Sequence, residues 1–567
     1  MTTPQLSLRA PQPGFVDLFT PKLVTVFREG YGLKDLQADA VAGLTVAIVA
    51  LPLSMAIAIG SGVTPERGLY TAIVGGFLVS LLGGSRVQIG GPAAAFIVLI
   101  SAIVAREGYD GLVLATIVAG VLMILTGLLQ LGTFVKYIPY PVTVGFTAGI
   151  AVIIAVGQLP DLLGLPPVAA ENFVQRLVAL GKTAGGFNAQ TVVVTLLSAG
   201  TIIAVTRFAP RVPAFLVAVI AAAAATALLH LDVATIGSRF GGIPSTLPAP
   251  RLPDWSLEKL PAAVRNGAAI ALLGAIESLL SAVVADGMTG RRHRSNCELV
   301  GQGVANIGSV LFGGICVTGT IARTATNIRS GARGPVAGML HSLFLLLFML
   351  VAAPLIAYIP LATLGAVLII VAWNMAEKAE FWALLRASRG DALVLLLTFG
   401  LTIFVDLTTG IAVGVVLGAF LFLHRMAETV EVEGQALVAE DKADWENGRA
   451  VDVQAAQARD VMVFRISGAF FFGATAAVST VLDRAGAKPK TFILDFRAVP
   501  LIDSTAAVTL RSFVKRLNRA GTHVFFVGTR DRVRDTLFAA GLSPPLVSYK
   551  AELEAALAAA KKQGSEN

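Results

Sequence analysis

Charge is what this 567-residue chain has least of: Asp, Glu, Lys and Arg make up 14% of it, against 55% hydrophobic residues. A soluble globular domain averages about a quarter charged residues, so most of this chain is excluded from facing water, and mean hydropathy is correspondingly high at +0.76. Cysteine is also scarce. Cys297 and Cys316 are the two present, both in or beside apolar runs, which excludes a disulfide framework. The polar, Pro-containing stretch from Met1 to Gly32 lacks the apolar h-region of a signal peptide, so the first membrane helix is expected to act as its own insertion signal. Finally, there is no basic soluble face. The net charge is +8 and the pI near 9.6, but Lys and Arg sit in short loops between apolar runs. That is a topology signal, and nucleic acid is not an expected partner.

What the chain does have is long apolar runs, many reaching the roughly 20 residues that cross a bilayer as helix. Fourteen are read, near 36–60, 68–84, 92–105, 111–133, 137–158, 190–206, 212–230, 263–286, 299–312, 320–330, 335–357, 359–376, 391–405 and 409–427. An even number places both termini on one side. With the N-terminus inside, the cytoplasmic loops carry Arg86, Lys136, Arg207 with Arg211, Arg291 to Arg294, Arg329 with Arg333, and Lys378 with Arg386 and Arg389. The opposite loops carry Glu66 with Arg67, Arg106 with Glu107 and Asp110, balanced mixtures around Asp161 to Lys182 and Asp232 to Lys259, and Asp406. Basic excess on one side throughout predicts a multi-pass protein of the cell's inner (plasma) membrane with both termini cytoplasmic.

Composition changes after Met426. The reading divides the chain into a cytoplasmic N-terminal segment (1–35), a transmembrane region (36–427), an acidic, polar linker (428–460), a soluble domain (461–556) and a flexible tail (557–567). In the soluble domain, strand-like Val461 to Ile466, Thr491 to Asp495 and His523 to Val527 alternate with helical Thr475 to Ala485, Thr505 to Ala520 and Val533 to Ala540. Such alternation predicts a small α/β domain with a largely parallel sheet.

Segments three and ten are too short and too Gly-rich to be full helices. Each opens on a β-type stretch, Arg86 to Pro92 and Gly313 to Thr320, and passes into a brief helical pattern, Ala93 to Val104 and Ile321 to Ile328. Non-helical backbone survives at membrane depth only where protein or a watery cavity satisfies its N–H and C=O groups. Paired broken segments in corresponding halves point to a transporter's midplane site. Two half-helix N-termini facing one cavity make an anion site, each contributing up to about 2 kcal/mol when partly buried. Pro92 suits a first helical turn, and Arg323, in the first turn of segment ten, is placed to supply a fixed cation. In segment eight, Glu277 lies mid-span among apolar residues, so it is expected to be protonated, paired with a cation, or hydrogen-bonded to the unwound backbone of segment ten. Ser281, one turn on, offers an oxygen to a cation site.

These stretches resemble the sulfate permease (SulP) family, related to solute carrier family 26. The matching residues are Val41 to Ala47 with Leu51-Pro52, Gly68-Leu69-Tyr70, Gly83 to Pro92, Glu277 to Leu280 with Ala285-Asp286, and Gly319 to Asn327. The C-terminal block is similar to the family's STAS domain. The resemblance implies an α-helical membrane protein of fourteen segments as two inverted repeats of seven. These divide into a core (segments 1–4 and 8–11) and a gate (5–7 and 12–14), and protomers commonly form homodimers. It places the substrate site on Leu53, Ile57 and Ala93, and on Thr320, Ile321, Ala322 and Arg323, with Pro92 and Gly319 at the two breaks, and puts Glu277 on the coupling carboxylate. The chain departs from the family pattern at Leu53, where many members have Gln, and at Ala93, where an aromatic is familiar. It also has Glu277 where sodium-coupled bicarbonate members tend to carry Asp.

The function expected from this resemblance is secondary active transport of a small anion, either a sulfate-type inorganic anion or a dicarboxylate. Coupling would be by proton symport or anion exchange, with an elevator-like movement of the core. A sodium-coupled bicarbonate transporter and an uncoupled anion channel are the alternatives. No enzymatic activity, cofactor or metal site is expected. Ser504, between Asp503 and Thr505, falls where related domains carry a phosphorylated serine; read from residue preference it is an ordinary helix N-cap. A cytoplasmic regulator of the STAS domain is a further expected partner.

Overall fold

The computed structural model describes residues 14–166, 172–210, 212–253, 257–436, 461–475 and 489–565. They form two compact units, one running to Val415 and one starting at Val416, joined within the last apolar helix.

In the first unit, two short helices, α1 (Phe15–Phe19) and α2 (Lys22–Arg28), precede α3 (Leu33–Gly60). Next come α4 (Pro65–Tyr70), a π-helical turn (Thr71–Gly75) and α5 (Gly76–Leu82), which together form segment two. Strand β1 (Gly90–Gly91) and a 3-10 turn (Ala94–Phe96) lead into α6 (Ile97–Leu128), which holds segments three and four. The two are separated at Gly108, whose φ of 71° breaks the helix. Gly takes that left-handed conformation without the Cβ clash other residues meet. Then follow α7 (Tyr140–Leu163), α8 (Phe173–Thr183), α9 (Ala189–Phe208), α10 (Ala214–Leu229) and α11 (Ile236–Phe240). The second half has α12 (Leu260–Thr289), α13 (Ser295–Leu311), β2 (Thr318–Gly319) and α14 (Ile321–Arg329). It closes with α15 (Val336–Ile356), α16 (Leu361–Met375), α17 (Lys378–Ala387), α18 (Arg389–Phe404) and α19 (Leu407–Glu428).

All fourteen apolar runs are therefore present as helical segments, and eight described helices are long and apolar enough to cross a membrane on their own. Side chains such as Val193, Leu196, Ile203, Leu228, Val351 and Phe420 stay exposed on the outer faces, as lipid-facing residues do. Helix α6 packs on α12 and α13, and α15 on α3 and α5, forming the core. Helix α7 packs on α16 and α18, and α9 on α10 and α16, forming the gate. Helices α8 and α17 were not legible among the polar loops. Each has an apolar face too short to read as a span, and α8 is started by Asn172, whose Oδ1 accepts from Gln175 N at 2.9 Å.

The second unit holds a five-stranded sheet: β3 (Glu431–Ala436), β4 (Val461–Ser467), β5 (Thr491–Asp495), β6 (His523–Val527) and β7 (Ser548–Lys550), hydrogen-bonded in that order. The pairs β4–β5, β5–β6 and β6–β7 are parallel, as the alternating pattern predicts. Helices α20 (Ser504–Arg519) and α21 (Asp531–Ala539) follow β5 and β6. Phe464, Phe492, Phe513 and Phe526 share one core cluster with them. Three sequence expectations change. Strand β3 lies in the stretch read as linker and pairs antiparallel with β4; its Glu and Gln residues hid an edge strand. Helix α22 (Leu553–Ser565) runs through most of the stretch read as a flexible tail, and its Leu553 and Ala556 cover the opposite sheet face. The cap of α20 is Asp503, whose Oδ1 accepts from Ala506 N at 2.8 Å. Ser504 is thus the first helical residue and exposed, not the N-cap. The helix expected over Thr475 to Ala485 lies, past Thr475, outside the described residues.

Candidate functional site

The two broken segments meet. Strands β1 and β2 pair antiparallel, Gly90 opposite Gly319 and Gly91 opposite Thr318. Thr320 N then donates to Ile89 O at 3.0 Å. The interior of this crossing leaves no room for side chains. A Cβ on Gly91 would lie 2.0 Å from Arg323 Nη1, and one on Gly319 would lie 1.3 Å from Gln88 Nε2. Glycine is there for close approach, not for an unusual φ.

The remaining polar backbone is satisfied by side chains, as membrane depth requires. Ile89 N donates to Thr324 Oγ1 (3.0 Å) and Asn327 Nδ2 to Val87 O (2.8 Å). Asn306 takes both groups of Val317: its Nδ2 donates to the carbonyl at 2.8 Å, and its Oδ1 accepts from the amide at 3.0 Å. Ile315 N donates to Thr71 Oγ1 and Ser309 Oγ donates to Ile315 O, each at 2.7 Å. Glu298 is the keystone: fully buried, it accepts from Gly84 N (2.8 Å), Ser85 N (3.1 Å), Gln302 Nε2 (2.9 Å) and Ser278 Oγ (3.3 Å). Ser278 in turn accepts from Gln88 Nε2 at 3.2 Å, so one carboxylate ties α12, α13 and the turn before β1 together.

Both half-helix starts come out of this crossing uncapped: neither Ala93 nor Thr320 caps its first turn with a side chain, and among the described residues no other side chain accepts from it. Arg323 sits behind them, 2% exposed, its Nη2 donating to Pro92 O at 3.1 Å. Its Nε and Nη1 have no partner among the described residues. A buried guanidinium with two unmet donors beside two free helix ends is a concentration of positive potential. Pro92 itself is not in the first helical turn. Ala93 is the N-cap and the 3-10 turn starts at Ala94, so Pro92 contributes its carbonyl rather than a fixed φ.

Leu53, Ile57 and Ala93 fall in one buried cluster. Thr320 is joined to segment three through Ile89, Gly319 lies in the ladder itself, and Ile321 and Ala322 present the exposed edge of the tip, Ile321 at 37%. Helix α16, from the gate, packs against both the 3-10 turn and α3. Ser281 Oγ donates to Thr324 Oγ1 at 3.4 Å, so this hydroxyl faces the half-helix. Glu277 is half-buried, and among the described residues no hydrogen bond or ion pair reaches it. Of the three alternatives for Glu277, the bond to the unwound backbone of segment ten is absent among the described residues; Asn306, Thr71 and Ser309 satisfy that backbone instead. Glu298 was missed because segment nine was read as starting at Leu299, which left this carboxylate in a loop. Glu298 in the first turn of α13 and Asn306 in an apolar run were the available signals. Ser504 belongs to the second unit.

Comparison with known proteins agrees with this geometry. A model of the sulfate permease family matches residues 36–398, and a STAS domain model matches 452–556. The chain is 39% identical over 519 residues to the "Putative sulfate transporter YvdB" of Bacillus subtilis, covering 91% of this chain and 95% of that protein. It is 30% identical to the bicarbonate transporter BicA of Synechocystis, covering 89% and 90%. Among solved structures, SLC26A9 superposes with a TM-score of 0.84 at 18% identity, covering 96% and 93%, a likeness of fold. The transmembrane domain of a cyanobacterial BicA gives 0.60 at 32% identity, covering 68% and 98%. The family model over residues 36–398 and the relatives at 39% and 30% identity place this chain in the sulfate permease family, with a C-terminal STAS domain.

Proposed function

We propose that this transporter is a coupled carrier of a small oxyanion of the sulfate or dicarboxylate type, which binds at the tips of α14 and of the 3-10 turn preceding α6. The observation that supports this most is Arg323, buried with Nε and Nη1 unpartnered. An unpaired buried guanidinium is costly to leave as it is, and an anion accepting from it and from the uncapped first-turn N–H groups relieves that cost. Leu53, Ile57 and Ala93 form the apolar wall, and the small Ala93 leaves room for a polyatomic anion.

Glu277 is the coupling group of this reading, its carboxylate half-buried and without a hydrogen bond or ion pair among the described residues. Moving one charge through 100 mV is worth about 2.3 kcal/mol. A bare dianion entering a negative cell therefore faces about 4.6 kcal/mol per 100 mV, and one proton on Glu277 offsets half of that. Arg323 travels with the site and is not consumed. Net accumulation of a dianion thus calls for two cations or for exchange against an internal anion. The core, carrying β1, β2 and both tips, is the moving body against the gate in an elevator-like step. Similarity to the bicarbonate transporter BicA supports bicarbonate as the second substrate reading, for which the family resemblance implies sodium as the coupling ion. The remaining parts of the proposal are a plasma-membrane protein with cytoplasmic termini, supported by the one-sided basic loops, a homodimer, and an STAS domain regulated through the exposed Ser504.

The test is uptake into proteoliposomes. Arg323→Ala is expected to abolish saturable sulfate or bicarbonate uptake, and Glu277→Gln to remove its dependence on a pH gradient. Wild-type-like saturable uptake by the first variant defeats the site. Flux unaffected in the wild type by either a pH gradient or a trans anion defeats the coupling.

A further inference from the structure

A second concentration of positive charge lies at the end of the first unit away from its cytoplasmic basic loops. A cavity of about 320 Å³ opens there, and among its lining residues are Arg67, Tyr109, Arg239, Phe240, Val63 and Val104. No acidic residue is among those lining it. The two arginines come from opposite bodies. Arg67 stands on α4, held to the core because Gly68 lets the helix approach α3: a Cβ there would lie 2.0 Å from Ser54 O. Arg239 stands on α11, which is tied to the gate through Ile236 N to Ile359 O and Leu361 N to Ala234 O (each 2.9 Å) and through Arg239 itself to Asp161 on α7, while Gly237 N also donates to Ala357 O (2.8 Å) at the end of α15.

Both guanidiniums are fixed in place with donors to spare. Arg67 lies 3.3 Å over the Tyr109 ring and gives Nη1 to Gly313 O at 3.1 Å. Tyr109 is itself pinned by donating to Gly314 O at 2.7 Å. Arg239 gives Nη1 to Asp161 Oδ1 at 2.9 Å. A guanidinium has five N–H donors in a rigid fork, so most remain available on each. Two carboxylates stand near, Asp161 paired with Arg239 and Glu66 accepting from the lining Thr64, but neither lines the cavity, so the charges on its described wall are the two arginines. Two like charges drawn into one concave, partly apolar site are relieved by an anion between them.

We infer that this cavity is a second anion site, taking a small tetrahedral or planar oxyanion between Arg67 and Arg239 and distinct from the Arg323 site. Because one arginine moves with the core and the other stays with the gate, an anion held by both bridges the two bodies on this face. Its occupancy favours the arrangement seen here over any in which core and gate part at this end, by linkage.

Equilibrium binding of radiolabelled sulfate to the purified full-length protein tests this. The wild type is expected to bind two sulfates per chain. Arg323→Ala and the double variant R67Q/R239Q should each bind one, and R67K/R239K, which keeps both charges, should hold two with the second weakened about tenfold by loss of the planar fork. In proteoliposomes R67Q/R239Q should also shift the dependence of uptake on sulfate applied to that face, with saturable transport retained. A wild type binding one sulfate that Arg323→Ala removes overturns this inference and spares the Arg323 site. Two sulfates still bound by a monodisperse R67Q/R239Q overturn it equally. Unchanged binding by Arg323→Ala defeats only the Arg323 reading, and no sulfate or bicarbonate bound by the wild type defeats both.

Discussion

At the scale of single residues, two carboxylates of the first unit, buried Glu298 and half-buried Glu277, have opposite surroundings. Glu298 accepts four hydrogen bonds, two of them from backbone N–H groups, whereas Glu277 accepts none from the described residues. Glu298→Ala strands four donors, each costing about 1–3 kcal/mol when buried and unmet. We expect a large fall in the thermal midpoint of the purified protein, with Glu298→Gln recovering part of it; a midpoint unchanged in Glu298→Ala removes the keystone role. Gly91→Ala drives a methyl into the Arg323 guanidinium. The expected result is a rise of tenfold or more in the KM for uptake, with the protein still monodisperse. In the second unit, Asp495 is buried beside Arg497 (Nη2 to Oδ2 2.6 Å) and Arg465 (Nε to Oδ2 3.1 Å). Burial works to raise its carboxyl, but the hydrogen bonds from Arg497 and Arg465 outweigh it and hold the group below its ordinary value. A depressed carboxyl adds stability that is fully present above its unfolded value near 3.9 and is lost as pH falls through the lower folded one. Hydrogen exchange in β4 and β5 should therefore accelerate below about pH 4 in the wild type. In Asp495→Asn that acid-dependent step should be absent; its persistence means that another carboxylate is responsible.

Elements differ in how far their sequence declares them. The spans were legible because an apolar run of bilayer length has few other uses, and the two broken segments because Gly-rich backbone at that depth needs a reason. Their direct ladder was not legible, since two-residue strands carry no periodicity. Nor were the polar side chains that finish it: Thr324, Asn327 and Asn306 are short and isolated in their segments. Of the candidate site, Arg323 and the glycines could be read from chemistry, while Leu53 and Ile57 came only through family likeness, because apolar wall residues look like any other core. The soluble unit followed the same rule. Parallel β4 to β7 alternate with helices and were largely visible, and the polar edge strand β3 was not. Gly108 offers a clean measurement at this scale. Its φ of 71° with ψ of −176° is a backbone region essentially reserved for glycine, and open space surrounds its missing Cβ, so Gly108→Ala meets only that backbone penalty, about 1–3 kcal/mol. The variant should lower thermal stability modestly while leaving KM unchanged; a shift in KM instead means that the segment-three break sets the site.

For the molecule as a whole, composition established a membrane protein with a soluble appendage, family resemblance supplied the division into core and gate, and the helix packing follows that division. Core and gate meet at α3 against α16, α10 and α7, a contact of apolar faces suited to sliding. The ladder of β1 with β2 lies wholly on one side of that boundary. Its strands, the Thr320 to Ile89 bond and the Arg323 to Pro92 bond join the first repeat to the second without involving the gate. The two halves of the anion berth are therefore sewn to each other, and nothing in the berth has to be undone for it to change sides. If the proposed berth travels unbroken in this way, its affinity is expected to be the same from either compartment. Such a machine has no built-in direction: run with reversed gradients it should export as readily as it imports, and the cell's gradients alone decide which way the anion goes.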